Sequence, residues 1–145
     1  MPAAHTDDLF RDTFRIPKRK AQVPAARARV RGVLEKWGFN CIAANLELVA
    51  CELVTSAVAH CRVALAEIQV AVHLDGGDVV LEISDPDGER LPLVRMACSP
   101  DEAEGGCGLL LVAALSNSWG CLKLEYDKCV WARFAVAGDR PGGLA

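Results

Sequence analysis

The chain has 145 residues, 52% of them hydrophobic and 24% charged, with 16 Lys and Arg against 19 Asp and Glu for a net charge of −3. That length is one ordinary domain; the balance excludes a disordered or fibrous chain and leaves no overall basic footprint for nucleic acid. No apolar run approaches the roughly 20 residues of a membrane helix, and MPAAHTDDLF lacks the basic and apolar regions of a secretory signal. A cytoplasmic protein with neither a membrane nor a nucleic acid as direct partner is expected. Seven cysteines with no CxxC pair and no zinc-type spacing suggest reduced, buried thiols acting as small apolar fillers.

In chain order, residues 1–8 read as an N-terminal tail, and LFRDTFRIP as a short strand with Phe10, Phe14 and Ile16 on one side and Pro17 at its end. The stretch RIPKRKAQVPAARARVR is strongly basic, either a solvated helix face or a surface for an acidic protein partner. Its helical part has Pro24 in the first turn, Ala26, Val30, Val33, Leu34 and Trp37 on one face, and Gly38 just past the end. Asn40 is then expected to cap a second helix whose apolar arc runs through Leu46, Ala50, Leu53, Ala57 and Cys61.

EIQVAVHL and DVVLEIS alternate with period two and meet at DGG, which predicts a tight hairpin. The aperiodic segment from DPDG to EAEGG has the length of a functional loop. A short apolar helix, GLLLVAALSN, follows, and WGCLKLEY and CVWARFAV form a second hairpin around a DK turn. Residues 9–137 thus make up the domain and 138–145 a loose C-terminal tail. Grouped helices and antiparallel hairpins predict an α+β, two-layer sandwich: a mixed, mostly antiparallel sheet with helices on one face.

Three places carry candidate chemistry. On the second helix Glu52 and Ser56 lie one turn apart on the same side, with Thr55, His60 and Asn45 nearby. This stripe is either the wet face of an amphipathic helix or a site in which a carboxylate sits beside an oxygen ligand, the arrangement of a general base next to a metal-bound water. In the strand DVVLEISD, period two puts Asp85 on the same side as Val79, Leu81 and Ile83. It either ends the strand in a DPDG turn or meets a donor such as the exocyclic amine of a base. EGGCGLLLV places glycines before a helix N-terminus, where backbone N–H groups can meet phosphate, though it is neither a Walker A loop nor a dinucleotide fingerprint.

Taken in order, ELVTSAVAH, ISDPDGERLP and GGCGLLLV, with the earlier AARARVRGVLEKWG and the later WG and VWARF, resemble the ATP-binding domains of the GHKL superfamily, the histidine kinase-like ATPases. The similarity is greatest to the bacterial anti-sigma factor serine/threonine kinases and their regulatory relatives, and it spans roughly residues 9 to 136. It implies that Glu52 is the general base and that Ser56 stands where the family has its magnesium-binding Asn. His60 matches the His of the same motif. Asp85 would hold the adenine amino group, with Gly88 in the turn after it. Gly106, Cys107, Gly108 and Leu109 would wrap the phosphates, and the segment between the second and third motifs would be the ATP lid.

The implied cofactors are ATP and Mg2+, with Ser56 a shorter metal ligand than the usual Asn. Cys107 stands where the family has Arg, which removes a positive charge that His60, Arg62 and the helix N-terminus would have to supply. The implied function is transfer of the ATP γ-phosphate to a Ser or Thr of an anti-sigma factor antagonist, with binding of a sigma factor. Its alternatives are a nucleotide-binding switch without kinase activity and a pure interaction module. Implied partners are ATP or ADP, the sigma factor, the antagonist and a second copy of the chain as a homodimer.

Overall fold

Val70, Ile83 and Val130 face one another across three adjacent strands, and this row fixes the register of the domain. The computed structural model describes residues 10–87 and 108–136. Both expected tails lie outside them, as do residues 9, 88–107 and 137. Five strands, β1 (Arg11–Pro17), β2 (Glu67–Asp75), β3 (Asp78–Asp85), β4 (Ser118–Lys123) and β5 (Lys128–Ala135), form one sheet in the order β1-β2-β3-β5-β4. All four pairings are antiparallel. Period two then gives each strand one inward row: Ile68, Val70 and Val72 on β2, Val79, Leu81 and Ile83 on β3, and Val130, Ala132 and Phe134 on β5 are all buried.

Three helices, α1 (Val23–Trp37), α2 (Asn40–His60) and α3 (Gly108–Leu115), cover that inward side. α2 lies on β2, β3 and β5, and both α1 and α3 pack against it. Ala26, Val30 and Leu34 of α1 and Leu46, Val49, Ala50, Leu53, Val54 and Ala57 of α2 are buried as the helical period requires. Removing each large side chain of this set from water is worth about 1.5–3 kcal/mol. The result is the expected two-layer α+β sandwich. By length and composition α2 could cross a membrane; here its apolar side is the centre of the core instead.

Local chemistry sets the boundaries. Pro24 sits in the first turn of α1, and Gly38 ends it with φ 87° while the Phe39 N–H reaches back to the Leu34 carbonyl at 2.9 Å. Asn40 does not cap α2: the residue before the helix is Phe39, and Asn40 is already helical with no side-chain cap bond. The burial of Phe39 against Phe10 and Trp37 fixes that junction instead. Gly76 takes φ 63° in the two-residue turn between β2 and β3. β4 stops at Lys123, so Leu124 and Tyr126 belong to the turn and not to the strand, with the Leu124 N–H bonded to the Asp127 carbonyl at 2.8 Å.

The basic segment is a paired surface. Arg29 grips Asp12 with two bonds of 2.9 Å and lies 4.4 Å over the Phe14 ring, tying α1 over β1. Arg27 and Arg31 share Glu47 at 3.3 and 3.0 Å, and Arg31 also meets Glu35 one turn along. Arg27, Arg29 and Arg31 of the basic stretch, one candidate surface for an acidic partner, are therefore engaged within the molecule. Of the five described cysteines, Cys61 and Cys129 are buried fillers, but Cys41 and Cys121 are exposed, contrary to the expectation; none of the five forms a disulfide.

On the outward side of the sheet, Gly120 lies opposite Trp131, and a Cβ at Gly120 would sit 2.7 Å from the indole ring. Gly120→Val is expected to push that ring aside and cost about 1–3 kcal/mol, read as a lower denaturation midpoint. An unchanged midpoint would show that the indole has room to move.

Candidate functional site

The register places five chain ends together: the close of β1, the start of β2, the close of β3, the start of β5 and the close of β4. The C-terminus of α2 arrives at the same end. Lys18, just after β1, donates to the Cys61 and Val63 carbonyls at 2.9 and 2.8 Å, satisfying backbone groups past the last turn of α2. α3 runs the other way. Its last residue leads through Ser116 and Asn117 to the start of β4 at the opposite end, where the Asn117 N–H meets the Arg133 carbonyl. The N-terminus of α3, Gly108 and the buried Leu109, therefore points toward the site.

Asp85 occupies the last inward position of β3, the side that period two predicts. It is 4% exposed and lies directly opposite Lys128 on β5. Its Oδ1 accepts the Asp87 N–H at 2.8 Å, an Asx turn, and its Oδ2 lies 3.8 Å from Lys128 Nζ. The turn reading of this residue holds, since one oxygen builds the DPDG turn, while the other oxygen faces the Lys128 ammonium at ion-pair distance. Burial pushes the Asp85 carboxyl up, opposed by the Asp87 N–H and by the Lys128 charge.

Asp87 is itself buried, and its Oδ2 accepts the Arg62 N–H at 2.9 Å and faces Arg62 Nε at 3.3 Å. The Arg62 backbone N–H is the main reason the Asp87 carboxyl lies below the usual range. This contact latches the end of β3 to the segment just after α2. Arg62, expected to compensate for charge in the phosphate loop, is thus engaged by Asp87.

On α2, Glu52 and Ser56 are half-buried one turn apart, while His60, the last helical residue, and Asn45 are exposed. Burial raises the Glu52 carboxyl, the direction a proton acceptor needs to work near neutral pH. Thr55 and Ser56 lie half-buried between the core and the exposed face of the helix. Among the described residues, no three of His, Cys, Asp or Glu converge as a metal cage. Mg2+ does not require one, since one or two protein oxygens plus phosphate oxygens and water usually hold it. Gly88, Gly106 and Cys107, with the lid, lie outside the described residues.

Sequence reasoning missed Lys128, which was read as a turn residue, and the Asp87–Arg62 latch. For Lys128 the signal was present: counting back by two from Val130 puts it on the inward row.

A family model for the histidine kinase-like ATPase domain matches residues 16–133. The chain belongs to that family, which implies ATP as its ligand. Among solved structures, the RsbU and RsbW domains of Rv1364c from Mycobacterium tuberculosis superpose with a TM-score of 0.64 at 18% identity. The match covers 92% of this chain and 34% of that one, so this chain spans about a third of the length of that structure. It shows a shared fold. No protein of curated function matches the sequence significantly.

The lowered Asp87 value means that the folded chain favours the ionised form more than the unfolded chain does. The stability it contributes is present above the ordinary carboxylate value of about 3.9 and is lost as pH falls through the lower folded value. Asp85, with a raised value, acts in the opposite sense and loses its contribution as pH rises through its folded value. Asp87→Asn is expected to melt below the wild type at neutral pH, with the gap closing on acidification below about pH 4. A gap that stays constant with pH, measured by thermal scans, would remove the Asp87 charge as its cause.

Proposed function

We propose that this chain is an ATP-dependent regulator of anti-sigma factor type, which transfers the γ-phosphate to a Ser or Thr of an antagonist protein and binds a sigma factor. The observation that supports it most is the placement of Asp85, a buried carboxylate whose second oxygen is not used by the Asx turn, at the end of the sheet where α2 also terminates. A carboxylate in that position suits the 6-amino group of adenine. Glu52 is the proposed general base for the attacking hydroxyl, and His60 lines the phosphate side. Gly88 in the turn after β3, and Gly106, Cys107, Gly108 and Leu109 before and within α3, are the proposed phosphate-side backbone.

Magnesium, when bound, would neutralise phosphate charge, with the Ser56 hydroxyl as the side-chain oxygen nearest to the role. The sigma factor, the antagonist and a second copy of the chain are the proposed protein partners, in the cytoplasm where ATP is abundant. A second reading, a nucleotide-binding switch that transfers no phosphate, is favoured by one feature: Ser56 offers a hydroxyl on a short stem where the family carries an amide oxygen.

Calorimetric titration with ATP, with and without magnesium, separates these readings. ATP binding that tightens with magnesium supports the kinase; binding indifferent to magnesium supports the switch; absence of binding overturns both. Asp85→Asn is expected to weaken ATP about 10- to 100-fold. Glu52→Gln is expected to keep ATP affinity, abolish phosphate transfer to a purified antagonist, and raise the melting temperature by about 2 °C by removing a half-buried charge.

A further inference from the structure

The two edges of the sheet are built differently. β1, at one edge, carries Arg11, Asp12 and Arg15, ends in Pro17, and is overlain by Arg29, which bonds Asp12 and covers the Phe14 ring. Charges, a proline and a covering side chain are the devices that keep a strand edge from pairing with another chain. β4, at the other edge, has no proline and no charge before its last residue, Lys123. Among the described residues no strand lies on its far side. Cys121 and Leu122 are exposed on it, and Leu124 and Tyr126 continue the exposed apolar run into the turn.

The ladder fixes which backbone groups β4 turns away from the sheet. The Leu124 N–H bonds to the Asp127 carbonyl at 2.8 Å, in the register of the whole β4–β5 pairing. In an antiparallel pair the residues bonded to the neighbour alternate, so Gly120 and Leu122 turn their N–H and C=O groups to β5. Trp119, Cys121 and Lys123 turn theirs to the edge. These three are symmetric about Cys121, which is what a two-fold axis requires of a surface that meets its own copy. Two β4 strands laid antiparallel bond all three residues of each copy in one register, with Cys121 opposite Cys121 and Trp119 opposite Lys123. Any other register leaves at least one of the three unpaired in each copy. On the outward side the same register sets Leu122, 56% exposed, opposite Gly120 of the second copy. Gly120 is roofed by the Trp131 indole, so each exposed leucine meets an aromatic ring where the facing residue has no side chain.

We propose that β4 is a self-pairing edge, through which two copies of the chain join antiparallel along Trp119, Cys121 and Lys123 into one continuous sheet, with Leu122 of each against Trp131 of the other. This rests on a second copy being a partner, as proposed above, and names the surface it uses. It needs no nucleotide, so it does not depend on the ATP reading.

The test is sedimentation velocity of the full chain, reduced and without nucleotide. The mass is expected to rise toward twice that of one chain as concentration increases from about 5 to about 500 µM. Over the same range hydrogen exchange at the Trp119, Cys121 and Lys123 amides is expected to slow about three- to tenfold, and less at Gly120 and Leu122, which already bond β5. Cys121→Pro removes an edge-facing N–H while leaving the bonds to β5, a position that tolerates proline, and is expected to stay monomeric throughout. Leu122→Ser keeps the backbone and is expected to weaken the dimer about tenfold; it decides the matter even where the proline variant fails to fold. A mass that stays at one chain overturns both the dimer and this surface. A dimer that Leu122→Ser or a folded Cys121→Pro leaves as tight as the wild type, or protection that spares the three amides, overturns the β4 surface alone.

Discussion

A carboxylate at the last inward position of a central strand constrains everything packed around it. Asp85 is buried among the ends of β3, β5 and the segment that follows, and an unpaired charge there would cost several kcal/mol. The chain meets the demand twice, with the Asp87 N–H on one oxygen and Lys128 beside the other. Each answer creates a further demand. Asp87 can lend its N–H only while its turn is held, and Arg62 holds it through a backbone and a side-chain contact. Arg62 in turn follows α2 directly, so the position of one carboxylate ties the end of β3 to the end of the longest helix.

α2 serves two environments along its length. Its apolar side fills the space above β2, β3 and β5, and the volume and register of that packing fix its rotation. Once the rotation is fixed, Glu52 and Ser56 have no choice of direction, because residues four apart share a side. The basic face of α1 works as a fastener for the same layer: Arg27 and Arg31 hold Glu47 of α2, and Arg29 holds Asp12 of β1. These pairs are partly exposed and individually worth little. Their contribution lies in placing α1 over both the sheet edge and α2, with the core beneath doing most of the stabilising.

Features that depend on local period were legible in the sequence, and features that depend on distant partners were not. The faces of α1 and α2, the Gly38 stop, the Gly76–Gly77 hairpin and the inward side of Asp85 all follow from spacing within a few residues. Asn40 misled because its side chain is a good cap in isolation, while the burial of Phe39 decided the junction. Lys128 was lost to a boundary error: placed in a turn it had no face, but as the first residue of β5 it has the same face as Val130. The Asp87–Arg62 contact spans 25 residues, and no local pattern encodes such a pairing. The arginines of α1 illustrate the same point, since a run of like charges looks available until Glu47 and Asp12 come into range.

The site therefore divides into two ends under different kinds of control. Its base end is made of described, mutually dependent groups in which Asp85, Lys128, Asp87 and Arg62 each limit the others' positions. On the proposed phosphate side, Ser56 and His60 of α2 have no comparable network among the described residues, and Ser56 and Cys107 stand where the family usually has an Asn and an Arg. Under the proposed binding mode, with Asp85 at the base and Ser56 and Cys107 on the phosphate side, recognition of the nucleotide would be weighted toward the base. That distribution suits a regulator whose partner choice depends on whether a nucleotide is present, since base contacts are the same for ATP and ADP. Under that mode, discrimination between the two, and with it any timing by phosphate transfer, would rest on the proposed phosphate-side groups around Ser56.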